Sequence, residues 1–217
     1  MTLPIDDILP ALRAALRAAP NAVLAAPPGS GKTTRVALAL LDEPWIMGRR
    51  IVMLEPRRLA ARMAARFMAQ SLGEKVGGQV GYRVRLDSAV SAATRVEVVT
   101  EGVLLRQLQA DPGLEGVGLV IFDEFHERSL DGDLSLALCR DIQAGLRPDL
   151  RLLLMSATLD DERMASLLDG AAMLRGQGQP HPVARRHVAR RAEQPLAQDI
   201  AALIRQALRE EPAGDVL

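Results

Sequence analysis

Five short apolar runs recur along the chain, each followed by a stretch with helical spacing, and this alternation restricts the fold more than any other feature. The runs are AVLAA (22–26), IVMLE (51–55), VEVVT (96–100), VGLVIF (117–122) and RLLLMS (151–156). They are nearly continuous, as strands covered on both faces require. Helices are expected at about 33–41, 57–71, 101–110, 130–146 and 160–168. Repeated strand–helix order gives an α/β fold, a parallel sheet with helices on both faces. Ligands of such a sheet bind beyond the carboxyl ends of its strands.

At 217 residues the chain can hold one sizeable core and the start of a second domain. No run approaches the roughly 18 apolar residues of a membrane span. The opening MTLPIDDILP has neither the basic nor the apolar region of a signal peptide, so a cytoplasmic setting is expected. Cys139 is the single cysteine and sits on an expected helix among apolar residues, which points to a core thiol and leaves no disulfide or cysteine metal site. The net charge of +0 supplies no global field for nucleic acid, so any such binding must come from local patches. After Met173 the texture turns rich in Gly, Pro and Arg (RGQGQPHPVARRHVARRAEQP), which reads as an extended connector. A helix at about 196–210 and the closing AGDVL suggest the start of another domain. The expected organisation is therefore a domain over 1–178, a connector over 179–195 and a truncated second domain over 196–217.

The first chemical motif is APPGSGKTT at 26–34, between an expected strand and an expected helix. Backbone N–H groups from Gly29 through Ser30 and Gly31 to Lys32 can wrap a phosphate, and the following helix N-terminus adds positive potential. Lys32 would reach the outer phosphates, the Thr33 hydroxyl would bind Mg²⁺, and Thr34 closes the motif. Ala26 stands where such loops usually carry a first glycine. These features imply ATP and Mg²⁺ as cofactors.

The stretch LVIFDEFHERS carries an apolar strand into a dense group of charges. In a phosphate-loop enzyme a second apolar strand delivers an aspartate to the Mg²⁺ shell, and Asp123 stands there. Glu124 follows, placed to orient and deprotonate an attacking water and to stand near the metal; a helix-capping acid is its plainer reading. For His126 a catalytic role and a simple capping or core contact are both open.

Taken together, GSGKTT, EPRRLAAR, VVTEGVLLRQL, DEFHERS and MSATL resemble, in order and spacing, the DEAH/RHA group of superfamily 2 RNA helicases, and look most like its bacterial HrpB-type members. The resemblance runs from about residue 20 to the end. It implies a RecA-like P-loop NTPase lobe, with nucleotide held against a second RecA-like lobe that would supply arginine fingers. It further implies that Ser156 and Thr158 of SAT relay the phosphate state, although Thr158 with Asp161 also looks like a helix N-cap pair. His126 would contact the partner lobe and so be exposed and unpaired here.

Single-stranded RNA, with DNA left open, is the implied partner. Arg58, Arg62 and Arg66 recur along one helix with no acidic partner in the stripe, and Arg58 matches the family's backbone-contacting position. In VGYRVRLD the alternation of Val80, Tyr82, Val84 and Leu86 puts Arg83 and Arg85 on one strand face, Arg85 being the stronger contact. Thr100, Glu101 and Gly102 expose a helix N-terminus suited to a phosphate. For each arginine, and for ARRHVARR above all, solvated surface charge is the competing reading. Aromatic residues make up 2% of the chain, too few for a base-stacking platform. Where relatives commonly carry an arginine that stacks on the nucleotide base, this chain has Phe67, which either stacks there or packs in the core with Ala60, Met63, Ala64 and Met68. The expected function is the ATP-binding lobe of an ATP-dependent RNA helicase. The alternatives are a nucleotide-binding module without turnover and a P-loop ATPase acting on another kind of partner.

Overall fold

The computed structural model describes residues 2–46, 48–157, 161–177, 184–189 and 194–211. The chain divides into two compact units, Met1–Pro180 and His181–Leu217.

In the first unit eight strands form one sheet: β1 (Asn21–Ala25), β2 (Arg50–Leu54), β3 (Val80–Val84), β4 (Asp87–Ala89), β5 (Val96–Val99), β6 (Val117–Phe122), β7 (Arg151–Ser156) and β8 (Ala172–Arg175), in the order β4-β3-β5-β2-β6-β7-β1-β8. All pairings are parallel except β3 with β4, a short antiparallel hairpin at one edge. Helices α1 (Leu9–Ala18), α2 (Lys32–Leu40) and α3 (Arg58–Ser71) cover one face, and α4 (Glu101–Ala110), α5 (Leu130–Gly145) and α6 (Asp161–Leu167) the other.

The period-two geometry of a strand explains the continuous apolar runs. Leu24, Ile51, Met53, Leu119, Ile121, Leu153 and Met155 join Leu12, Leu40 and Met68 in one core. Their neighbours Val23, Val52, Leu54, Val120, Phe122, Leu152 and Leu154 join Leu104, Leu136 and Cys139 in the other. Fully buried Phe122 alone is worth about 1.5–3 kcal/mol of transfer free energy. Burial pushes the Cys139 thiol up to about 12, so it is an inert core group.

Three sequence expectations change. First, β3 ends at Val84, and Arg85 and Leu86 form the turn into β4, Leu86 with φ of 64° and 94% exposed. Arg83 and Arg85 therefore do not share a strand face, and Leu86 does not belong with the buried residues Val80, Tyr82 and Val84. Second, α3 buries Ala61, Ala64, Ala65, Met68 and Ala69, a face rotated from the one expected, because a stripe of alanines lets the helix lie close on the sheet. Leu59, Met63 and Phe67 point outward, and Phe67 at 56% exposure is not a core residue. Third, α1, which the strand–helix alternation did not reveal, buries Leu12 and Leu16 after a 3₁₀ turn at Pro4–Asp7.

In the second unit α7 (Leu196–Glu210) carries Leu196, Ile200, Leu203, Ile204 and Leu208, all partly exposed. Among the described residues no helix is long and apolar enough to cross a membrane.

Candidate nucleotide and nucleic-acid sites

The glycine loop joins β1 to α2, and its shape depends on its glycines. Gly29 and Gly31 have φ of 76° and 94°. At Gly31 a side chain would also meet Leu3, whose Cδ1 lies 2.6 Å from the position a Cβ would take. The 3₁₀ turn is thus seated on the loop, with the Ile5 N–H donating to the Ser30 carbonyl at 3.1 Å. The Ser30 hydroxyl is buried without a hydrogen-bond partner among the described residues, and the Thr34 hydroxyl donates back to the Gly31 carbonyl at 3.3 Å.

The end of β6 brings its acids directly onto this loop. Lys32, 3% exposed, donates from Nζ to Glu124 Oε1 at 2.8 Å, and Thr33 Oγ1 donates to Asp123 Oδ2 at 2.5 Å. Asp123 is fixed from behind as well: its N–H donates to the Leu54 carbonyl, and its Oδ1 accepts from the Glu124 N–H at 2.8 Å. Glu124 sits at φ of 48°, a left-handed conformation that costs a non-glycine residue on the order of 1 kcal/mol and that aims its carboxylate at Lys32. Glu124 caps no long helix; Ser129 caps α5, accepting from the Gly132 N–H at 2.9 Å.

Burial raises the Asp123 carboxyl to about 6; the Thr33 hydrogen bond lowers it and the Glu124 charge raises it further. A cation would reverse that tendency. Thr33 and Asp123 present two hard oxygen donors at one point, and no larger group of metal-ligating side chains occurs among the described residues. That donor set suits a small dication that keeps most of its shell as water and phosphate oxygen. Glu124 lies instead between Lys32 and His126, whose Nδ1 is 3.3 Å from Glu124 Oε2.

His126 is half-buried and engaged, not exposed and unpaired: Nδ1 also accepts from the Ala157 N–H at 3.4 Å. A single nitrogen cannot accept from Ala157 and donate to Glu124 at once, so the tautomer of His126 selects between them. At the other end of the same segment the Ala26 N–H donates to the Ser156 carbonyl at 3.0 Å, with Ser156 fully buried. The β7 terminus therefore touches both the glycine loop and the acid segment. Thr158, with its proposed pairing to Asp161, lies outside the described residues.

Glu55, at the end of β2, had no role in the sequence reading. It is buried, and desolvation followed by the charge of Asp123 pushes it up to about 8, so it adds little negative charge to the site at neutral pH. Its apolar run (IVMLE) disguised it as the end of a strand.

The arginine and TEG positions gather at the same carboxyl edge, beyond β2, β3 and β5. Arg58 Nη2 donates to the Arg85 carbonyl at 2.9 Å, holding the β3–β4 turn. Arg62 is not without an acid: it meets Asp87 of β4 at 2.6 Å. Arg83 is spent on Glu97, a 1%-exposed carboxylate on β5 that also accepts from Arg50 and Gln107. Thr100 is the N-terminal flank of α4, and its side chain makes no capping bond. Glu101 points inward to Ser129, accepting its hydroxyl at 2.5 Å, and Thr100 is buried although it lines a shallow depression beside Arg85, so within TEG only Gly102 is exposed.

A glycine loop after the first strand, closed by acids from a strand two places away in the sheet, defines the RecA-like class of P-loop NTPase lobes. The chain belongs to the DEAD/DEAH box helicase family, whose pattern it matches over residues 9–167. It is 51% identical over 216 residues to the ATP-dependent RNA helicase HrpB of Escherichia coli (strain K12), covering 100% of this chain and 26% of that protein. It is 40% identical over 186 residues to the ATP-dependent RNA helicase DHX30 of Gallus gallus, covering 83% of this chain and 15% of the relative. The crystal structure of the Escherichia coli DEAH/RHA helicase HrpB superposes with a TM-score of 0.90 at 51% identity, over 96% of this chain and 27% of that one. The chain thus spans about a quarter of the length of HrpB.

Proposed function

We propose that this chain is the nucleotide-binding lobe of an ATP-dependent RNA helicase, acting in the cytoplasm with a second RecA-like lobe. The observation that carries the reading is the double contact of the β6 acids on the glycine loop, Lys32 to Glu124 and Thr33 to Asp123. Lys32 would leave Glu124 for the outer phosphates of ATP. Thr33 and Asp123 would hold Mg²⁺, which when bound neutralises charge between phosphate oxygens. Glu124, released from Lys32, would orient and deprotonate the attacking water, with His126 beside it. Gly29, Ser30, Gly31 and Thr34 form the phosphate wrap. Ser156 and Thr158 would pass the phosphate state along the β7 terminus.

Arg58, Arg85, Thr100 and Gly102 would track a single strand by its phosphates. Arg58→Ala and Arg85→Ala are expected to weaken RNA binding about equally for all sequences and to flatten its salt dependence, since phosphate contacts release counterions. Because Arg58 holds the Arg85 carbonyl, the double variant should lose less than the sum of the two. Anisotropy titrations over a salt series check this; sequence-selective losses would mean base readout and count against the assignment.

Phe67 would stack on the nucleotide base. Since it is 56% exposed, Phe67→Ala should change stability by no more than about 0.5 kcal/mol. The same variant should raise the dissociation constant for ADP roughly two- to tenfold. Unchanged ADP affinity in the folded variant would end the stacking role.

A further inference from the structure

Two adjoining depressions lie where α4 meets the β3–β4 hairpin. One, of about 210 Å³, is lined by Arg85, Thr100, Gly102, Val103 and Arg106. The other, of about 370 Å³, extends from the shared residues Arg85, Val103 and Arg106 to Arg83, Leu86 and Gln107. Arg106 belongs to both, and neither the sequence motifs nor the family match assigns it a role. It stands one helical turn after Gly102, on the same side of α4, and is exposed. No carboxylate lines either depression. The acids adjoining the lining are engaged elsewhere: Glu97 is buried and met by Arg50, Arg83 and Gln107, Asp87 pairs with Arg62, and Glu101 accepts from Ser129. Arg85 and Arg106 have no acidic partner among the described residues, so two guanidiniums converge on one groove uncompensated. Both are exposed, so an anion entering the groove would meet two guanidiniums without having to displace an ion pair. The groove also has an apolar side, formed by Val84, Val103 and the exposed Leu86. Leu86 is held at the hairpin tip with φ of 64°, while Arg58 grips the Arg85 carbonyl beside it. A positive rim with an aliphatic wall matches a sugar-phosphate unit, whose anionic and apolar faces are both exposed in a single strand. The larger depression falls in the size range of small-ligand pockets, from roughly 300 Å³, enough for one nucleotide unit.

We propose that the nucleic-acid track continues past Thr100 and Gly102 along α4, and that Arg106 is a phosphate contact admitting one further nucleotide into the groove between α4 and the β3–β4 hairpin. This rests on the nucleic-acid reading of the lobe.

The test uses the 217-residue chain and fluorescein-labelled single-stranded oligouridylate, with anisotropy measured from low to moderate salt. Arg106→Ala is expected to weaken binding about five- to tenfold and to reduce the slope of log K against log salt by about 0.7, the single-strand value for one lost phosphate contact. Arg106→Lys should restore most of the slope, because the charge returns, whereas a merely structural arginine would show no such rescue. Melting temperature and ADP affinity should stay as in the parent chain. If Arg85→Ala weakens binding while Arg106→Ala leaves affinity and slope unchanged, the extension along α4 is wrong and the lobe's nucleic-acid role survives. If the parent chain shows no saturable, salt-dependent binding, both readings fall.

Discussion

Lys32→Ala is expected to lower ATP and ADP affinity by roughly two orders of magnitude or more, whereas Glu124→Gln keeps binding and loses about 10³-fold in turnover by the full-length protein. The difference follows from what each group does. Lys32 is an almost fully buried ammonium whose partner in this structure is Glu124, so its removal takes away the charge that replaces water around the outer phosphates. Glutamine fills the same space as glutamate but cannot accept a proton. Glu124→Gln should even bind nucleotide slightly more tightly, because ATP no longer has to displace an ion pair from Lys32. Fluorescent-nucleotide titration beside steady-state kcat separates the two. Equal loss of affinity in both variants would sink the division of roles, since it would mean that Glu124 is needed to hold the loop.

The strands and most helices were legible because burial on both sheet faces writes itself as unbroken apolar runs: β6 coincides with VGLVIF and β7 with RLLLMS. The glycine loop and its acids were legible for a different reason: phosphate binding demands particular residues at particular spacings. What escaped depended on tertiary packing. Arg83 looked like Arg85 along the chain, but only pairing of β3 with β5 sets Arg83 against Glu97. Glu97 itself was one polar letter in VEVV, and nothing local reports that three side chains converge on it from β2, β3 and α4. Phe67 is the reverse case. Its i, i+4 spacing with Met63 looked like a core stripe, yet the alanines beside it won the sheet contact because small side chains allow closer approach. His126 was placed in the open on family grounds, and it folds back because the β7 terminus offers an N–H within reach.

The packing that satisfies these charges also limits what the lobe can do alone, and the 217-residue chain is expected to turn ATP over roughly 10³–10⁵ times more slowly than the full-length protein with RNA. Charge developing on the γ-phosphate in the transition state needs a guanidinium beyond the lysine that binds the ground state. The arginines that follow the two motifs nearest the site are engaged elsewhere: Arg128 grips Asp133 with contacts of 2.9 and 2.6 Å, and Arg57 meets Glu127 at 2.7 Å. The Arg57–Glu127 pair is exposed and worth little as stability, so its arginine could be recruited. Recruiting Arg128 would cost the lobe both bonds to Asp133 and its position over the Phe125 ring. The second lobe proposed above would avoid those losses if it brings its own arginines. Single-turnover hydrolysis by the 217-residue chain, with and without single-stranded RNA and with nucleotide binding verified in the same sample, decides the matter. RNA-stimulated turnover at the full-length rate would show that the groups completing the site are already within this chain, with Arg57 then the first to replace by alanine.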